Sequence, residues 1–418
     1  MTSDRLPDDC FALPPGVDWT PVDVALRGLR DRLECVVSVE RRPVDQALGC
    51  RAAADHHARR ANPPTANSAV DGYGFAFDSV RAFPATLPLI QGRSAAGSPL
   101  SEAVPAGHAV RILTGAPIPA GVDTVVLQED VSIEGGTLSL PGSIKCGANT
   151  RKAGEDVCVG QVALGASRQI TAADIALTTA LGIDGLDVYR PLRVGILSTG
   201  DELVPAGYLA PDNAEIYDAN RPMLLSLARR WSHEAVDLGH VRDDRGALRR
   251  CLDEAARSVD VILTTGGASA GDEDHVSSLL REEGTLNHWR IAIKPGRPLA
   301  LAMWKGAPVF GLPGNPVAAF VCALLFARPS LEVMAGGVWL EPQSFDIPAA
   351  FEKRKKVGRQ EYLRARVRNG RAEVFPSEGS GRISGLSWAE GLVKLDDGAR
   401  SIAPGDPVSF IPFGSFGL

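Results

Sequence analysis

Acidic residues recur directly after three predicted strands. "RVGILSTG" (193–200) runs into Asp201 and Glu202, "AVDLGHV" (235–241) into Asp243 and Asp244, and the apolar run "VDVILT" into "TTGGASAGDEDHV" (264–276), which carries Asp272 and Asp274. Clustered carboxylates repel, so such a group implies a divalent cation, a raised pKa or a helix N-terminus to hold it. Oxygen-only ligands suit magnesium, which uses one or two carboxylates together with substrate phosphates. Any one acid after a strand is more readily a helix N-cap, and Asp244 and Asp274 both open predicted helices. Recurrence on three strands, twice beside a Gly-rich turn, points instead to a metal-dependent site. The small residues Thr199, Gly200, Thr265, Gly266, Gly267 and Ser269 let the backbone turn sharply and let a ligand approach it closely.

A second constellation is cationic. "AIKPGRP" (292–298) brings Lys294 and Arg297 after a strand, with Arg290 four residues before the lysine. "GLPGNPVAAF" (311–320) reads as strand, turn and helix: Pro313 and Gly314 turn the chain, Asn315 is an N-cap and Pro316 fits the first helical position. Backbone N–H groups left free at that helix start would form an anion site. Cations and amides beside carboxylates suggest a substrate with phosphate or another oxyanion, held partly through metal.

Parallel strands with helices on both faces are needed to bring these residues to one edge. From Pro191 the sequence provides that alternation: helices over 219–232, 244–257 and 274–283 separate the three strands. Strands at 289–293, 299–303 and 308–311 follow, then an apolar helix from Asn315 into the early 330s. The pattern predicts a doubly wound α/β sheet. Before it, 21–34, 43–58 and "TAADIALTTALG" read as helices, while "GYGFAF", "HAVRIL", "DTVVLQ" and "TLSL" predict a small β-rich unit inserted into a discontinuous first domain. After Pro342, "YLRARV" and "AEVFP" predict a closing all-β domain.

A length of 418 residues exceeds one ordinary core and suggests about three domains. The formal charge of −6 argues against a nucleic-acid binder. No signal peptide opens the chain and no apolar stretch reaches the ~18 residues of a membrane span, so a cytoplasmic protein is expected. Cys10, Cys35, Cys50, Cys146, Cys158, Cys251 and Cys322 form no C-x-x-C pair and read as reduced thiols, with no catalytic signature. His56 and His57 are adjacent and would point about 100° apart on a helix, a poor ligand pair.

Seven motifs in order, "NSAVDGYGF", "LTGAPIPAGVDTVVLQED", "RKAGEDV", "STGDEL", "TTGGASAGDEDHV", "AIKPGRP" and "GLPGNPV", resemble the molybdopterin molybdenumtransferases, the MoeA family, also seen in the E domain of gephyrin. The likeness runs from about residue 20 to 410. It implies an insertase that takes adenylylated molybdopterin and molybdate and, with Mg2+, releases AMP as the molybdenum cofactor forms. It also implies an elongated homodimer with a shared active site. The layout would be a split N-terminal α+β domain (18–62 and 144–190), an inserted β-rich domain (63–143), an α/β molybdopterin-binding domain (191–338) and a small C-terminal β-barrel (339–418).

By resemblance, Asp71 and Asp156 match acids that complete the site from the partner subunit. Glu202, Asp243 and Asp274 match acids of the α/β domain and are the expected metal ligands. Lys294 matches a functional lysine, and Pro313 and Pro316 match the prolines of the "LPGNP" loop. The family often has lysine where Arg290 follows Trp289; arginine keeps the charge but not an ammonium's geometry. His275 stands where an aromatic residue is common and is given no role. Replacing Gly266 by valine is expected to block ligand binding without unfolding the domain.

Two other classes stay open. A molybdopterin adenylyltransferase shares the α/β domain and a similar "TTGG…D" motif but usually lacks the flanking domains. A non-catalytic carrier or scaffold would recruit partners through its C-terminal domain, where the basic run "EKRKKVGRQ" (352–360) is either a docking element or a solvated loop. Acids at all five matched positions argue against an inert scaffold. The adenylyltransferase itself and molybdoenzyme chaperones are candidate protein partners; no nucleic acid or membrane is expected.

Overall fold

The computed structural model describes residues 19–140, 142–207, 215–266, 275–296, 298–379 and 381–418, with backbone alone for 286–290 and 298. In its α/β region the order is β1 (Arg193–Thr199), α1 (Asn220–Arg230), β2 (Glu234–Val241), α2 (Arg245–Ser258), β3 (Val261–Thr265), α3 (His275–Glu283), β4 (Thr285–Arg290), β5 (Pro298–Trp304), β6 (Ala307–Leu312), α4 (Pro316–Cys322) and α5 (Arg328–Met334). The sheet runs β2-β1-β3-β6-β5-β4. β1 is parallel to both β2 and β3, and β3 to β6, whereas β5 and β4 add antiparallel. The expected parallel order holds for β2-β1-β3-β6, and the antiparallel β5 and β4 make the sheet mixed. Short connections from β4 through β6 leave no room for crossover helices, so these strands fold back as a meander. β3 and β6 are buried at every position, as central strands covered on both faces must be.

One apolar core ties the regions together. Val22, Ala25 and Leu29 from the N-terminal helix (Val22–Arg32) pack with residues of β1, β3 and β6, with Phe320 to Met334, and with Ile411 and Phe416 near the C-terminus. The helix from Pro316 to Met334 is long and apolar enough to cross a membrane, contrary to the expectation that no stretch reaches that length. It is 94% buried within the protein, which makes it a core helix. A π-helical segment, Ala323–Ala327, lies between α4 and α5.

The predicted helix at 43–58 is absent. A strand, Val39–Pro43, pairs with Gly185–Tyr189, followed by one 3-10 turn (Val44–Gln46) and the short pieces Arg51–Ala52 and His56–His57. The helical spacing of Val44 and Ala47 is real, since both are buried, but Gly49 at φ +79° turns the chain and sends Arg51 into the interior. There Arg51 grips Glu332 of α5 through Nε at 2.9 Å and Nη2 at 2.6 Å, and donates to the Trp231 carbonyl. Arg328 pairs with the same carboxylate and donates to the Phe416 carbonyl. Three parts of the chain meet at this buried junction.

The inserted β unit is a six-stranded sheet holding Gly72–Phe75, Ala109–Ile112, Thr124–Leu127 and Thr137–Leu140 among its strands. At the C-terminus, Gln360–Arg368 pairs with Gly391–Leu395, which pairs with Pro407–Pro412, which pairs with Phe345–Pro348. A bridge from Ala349 to Ala372, on the strand paired with Gln360–Arg368, closes the ring. Ile293–Lys294 extends this sheet by pairing with Gln360 and Glu361, so Lys294 stands where the α/β region meets the C-terminal strands. The basic run at 352–360 is part strand and part exposed turn, the turn covering 356–359. Lys353–Lys355 is a strand, Lys353 is ion-paired, and Lys355 is buried and donates to the Lys356 and Gly398 carbonyls.

Candidate active site

Three strand ends converge at the carboxyl edge of the sheet, and they do so backbone against backbone. Gly266, following β3, has φ +90°, and a Cβ placed there would stand 2.3 Å from the carbonyl oxygen of Thr199 at the end of β1. Gly314, following β6, packs its α-carbon side against Gly266. Asn220, at the start of α1, stitches the turns: its Nδ2 donates to Thr265 Oγ1 at 2.7 Å and to the Gly314 carbonyl at 2.6 Å. Thr265 Oγ1 in turn lies 3.5 Å from the Pro313 carbonyl. Asn220 Oδ1, Thr199 Oγ1 and Thr264 Oγ1 are buried without a partner among the described residues. Buried polar atoms without partners are uncommon, and these three lie along this one edge.

This geometry changes the meaning of Gly266. Its missing side chain makes room for a neighbouring strand end, so the expected valine variant would not separate binding from folding. Even Gly266→Ala should lower stability by more than about 1 kcal/mol, because the residue is left-handed and the contact is backbone. Thermal unfolding checks this; a Tm equal to wild type would contradict the packing described.

Carboxylates flank the cradle. Glu202 folds back over Gly200, where a Cβ would meet its Oε2 at 2.4 Å. Asp201 accepts from the Asp243 amide at 3.1 Å, which ties the turn after β1 to the turn after β2. His240 holds the Gly200 carbonyl at 2.7 Å. Asp244 caps α2 through the Ala247 amide, so for this acid the capping reading is the structural one. Among the described residues no group of three or more His, Cys, Asp or Glu could hold a metal. Glu202 and Asp243 come to one edge as hard oxygen donors. That suits a magnesium ion completing its shell with water and phosphate, which needs no protein cage. Asp274, Asp272, Gly267, Ser269 and Arg297 lie outside the described residues, as does the side chain of Arg290.

Lys294 reaches the same edge by a different route. Gly296, two residues on, packs against Pro313, Ala318 and Cys322, which seats the Lys294 loop on the start of α4. Asn315 caps α4 and Pro316 occupies its first turn, as expected. The expected free amides do not follow, because Asn315 Oδ1 itself accepts from Val317 at 3.2 Å and Ala318 at 3.5 Å, and proline has no N–H.

Asp71 and Asp156 lie in the N-terminal region and bond locally. Asp71 accepts from the Thr114 amide and hydroxyl, both at 2.7 Å, and these bonds hold its carboxyl below the usual range. Asp156 accepts from Asn62 at 2.8 Å.

Comparison with known proteins gives this architecture its family. Three family models follow one another along the chain: MoeA N-terminal region (domain I and II) over 20–182, a probable molybdopterin binding domain over 195–333, and MoeA C-terminal region (domain IV) over 346–413. A Haemophilus influenzae protein named molybdopterin molybdenumtransferase is 36% identical over 359 residues, covering 84% of this chain and 88% of that one. The chain belongs to the MoeA family. Another relative so named, from Synechococcus elongatus, is 33% identical, covering 82% of this chain and 86% of its own. A crystal structure of a molybdopterin biosynthesis MoeA protein from Pyrococcus horikoshii OT3 superposes with a TM-score of 0.82 at 27% identity, over 94% of this chain and 100% of that one.

In this MoeA chain several residues that build the edge were missed in the sequence. Ser198 donates to Asp218 at 2.6 Å, and Asp218 also takes the Arg221 guanidinium at 2.9 Å. Burial works against the Asp218 charge, but the Ser198 and Arg221 hydrogen bonds outweigh it and keep the carboxyl below its ordinary range. The segment "YDANRP" (217–222), with Asp and Asn just ahead of a helix, was the available signal. Glu378 and Glu361 were missed too. Lys294 Nζ lies 2.6 Å from Glu378 Oε2 and 3.5 Å from Glu361 Oε2. No local motif announces partners this distant in sequence.

Proposed function

We propose that this chain is a molybdenum insertase: it takes adenylylated molybdopterin and molybdate and, with magnesium, releases AMP as the molybdenum cofactor forms. Family membership supports the reaction class. The observation that carries the site is the bare-backbone cradle of Thr199-Gly200, Thr265-Gly266 and Pro313-Gly314-Asn315, stitched by Asn220, with carboxylates on one flank and Lys294 on the other. The close approach of these turns leaves their backbone, rather than side chains, to face the pterin or its phosphate, with Pro316 extending the contact; Gly267 and Ser269, outside the described residues, are expected to join it.

Glu202, Asp243 and Asp274 would hold the magnesium ion, which when bound supplies charge neutralisation at the bond to AMP. Lys294, Arg290 and Arg297 hold the molybdate dianion. The substrate's own dithiolene sulfurs receive the metal, so no protein thiol is needed, in keeping with cysteines that carry no motif. Asp71 and Asp156, which bond only within their own region among the described residues, complete the site of the partner in a cytoplasmic homodimer.

Two mixtures test the reading. Purified protein is given molybdopterin with ATP, or adenylylated molybdopterin with magnesium and molybdate. Turnover of the second alone is expected. Turnover of the first would make the chain an adenylyltransferase, and tight binding with turnover of neither would make it a carrier.

A further inference from the structure

Lys294 does not wait with an open ammonium. Its Nζ is 2.6 Å from one oxygen of Glu378, whose other oxygen bonds Lys353. Lys353 also pairs with Glu361 at 3.0 Å, and Glu361 lies 3.5 Å from Lys294. Two lysines and two glutamates thus alternate in one cluster beside a cavity of ≈ 150 Å³, whose lining includes Lys294, Lys353, Glu378, Glu352 and Arg364. With Arg364 and Glu352 of the lining counted beside these four, three positive and three negative charges sum to zero, so as it stands the cluster offers an anion no net attraction.

The two glutamates differ in their freedom. Glu361 is 11% exposed and fixed on a strand in register with Lys294. Glu378 is 46% exposed and sits on the segment before Gly379, whose carbonyl, with those of Ser377 and Arg382, accepts from the Arg364 guanidinium. That segment is anchored through its backbone while the Glu378 side chain remains able to swing. By letting go of Lys294 it stays paired to Lys353 through its other oxygen.

We propose that Glu378 is a built-in counter-ion which the incoming oxyanion must displace from Lys294, and that it thereby sets the oxyanion concentration at which the site fills. The proposal rests on the reading that an oxyanion comes to Lys294. Removing the Glu378 charge takes the cluster from neutral to a net single positive charge. The gain in anion binding then scales with anion charge, because the energy of a charge in a potential is proportional to that charge.

Equilibrium dialysis of the full-length protein against molybdate, a tetrahedral dianion, and perrhenate, a tetrahedral monoanion, with bound metal read by elemental analysis, tests this. Glu378→Gln keeps the shape and loses the charge. It is expected to bind molybdate about tenfold more tightly and perrhenate about threefold more tightly than wild type. Glu378→Asp keeps the charge and is expected to stay close to wild type. Unchanged or weaker molybdate binding by Glu378→Gln would overturn the proposal. Equal gains for the two anions would overturn it as well, since they would mark a steric latch. Lys294→Met separates the two claims. If it binds molybdate like wild type, the oxyanion reading of Lys294 falls and the proposal with it. If it loses binding while Glu378→Gln changes nothing, only the role of Glu378 falls.

Discussion

Lys294→Met is expected to cut molybdate-dependent turnover by roughly two to three orders of magnitude, the usual cost of removing one preorganised charge donor from a transition state. The ammonium is the described cation seated on the Gly296 loop against Pro313, beside the cradle of strand ends. The fold should tolerate the change. Lys353 still holds both Glu361 and Glu378, and Lys294 is 32% exposed, so its ion pairs are screened and contribute about 0–1 kcal/mol. Steady-state kinetics with molybdate varied, beside a thermal melt, checks both halves. A variant with wild-type turnover would remove Lys294 from the mechanism.

The largest stability effect is expected at the buried junction. Glu332 is 3% exposed and is the one carboxylate paired with both Arg51 and Arg328, which are 3% and 7% exposed. Glu332→Gln would leave two buried guanidinium groups facing one another, and breaking such a group typically costs about 3–5 kcal/mol. Because Arg51 belongs to the N-terminal region and Arg328 reaches the Phe416 carbonyl, the loss should also speed proteolysis between these parts. Denaturant unfolding gives the magnitude, and a change under about 1 kcal/mol would contradict the account.

The same junction predicts an acid limb. Burial opposes the Glu332 charge, but the arginines outweigh it and hold the carboxyl below its ordinary value. Its contribution is therefore complete above the ordinary glutamate range and is lost as pH falls through the depressed folded value. His233, buried beside the junction, is pushed down to about 3, mainly by burial and then by Arg51. The unfolded chain takes up that proton from about pH 6.5 downward while the folded one refuses it. Stability should thus fall by about 2 kcal/mol between pH 7 and pH 5, well before Glu332 titrates.

Where conformation depends on short backbone patterns, the sequence was readable. The turn of Gly200 against Glu202, the Asn315-Pro316 helix start and the order of the α/β elements rest on contacts within a few residues. The misreadings share a cause. At 43–58 a helical burial pattern was correct in spacing, yet Gly49 and the pull of Glu332 on Arg51 decided the conformation. Gly266 looked like space for a ligand, and only the approach of Thr199 from another strand reveals what the space is for. Asn220, Glu361 and Glu378 act across 45 to 94 positions of sequence, or from another region altogether, so no local motif could expose them.

The central claim is that AMP departure and metal insertion are one coupled event on this protein. The most direct measurement is the ratio of AMP released to molybdenum retained by the pterin, taken with the wild-type protein, adenylylated molybdopterin and magnesium, with and without molybdate. The account predicts one AMP per molybdenum and no AMP without molybdate. AMP released freely in the absence of molybdate, or molybdenum bound with AMP still attached, would contradict it.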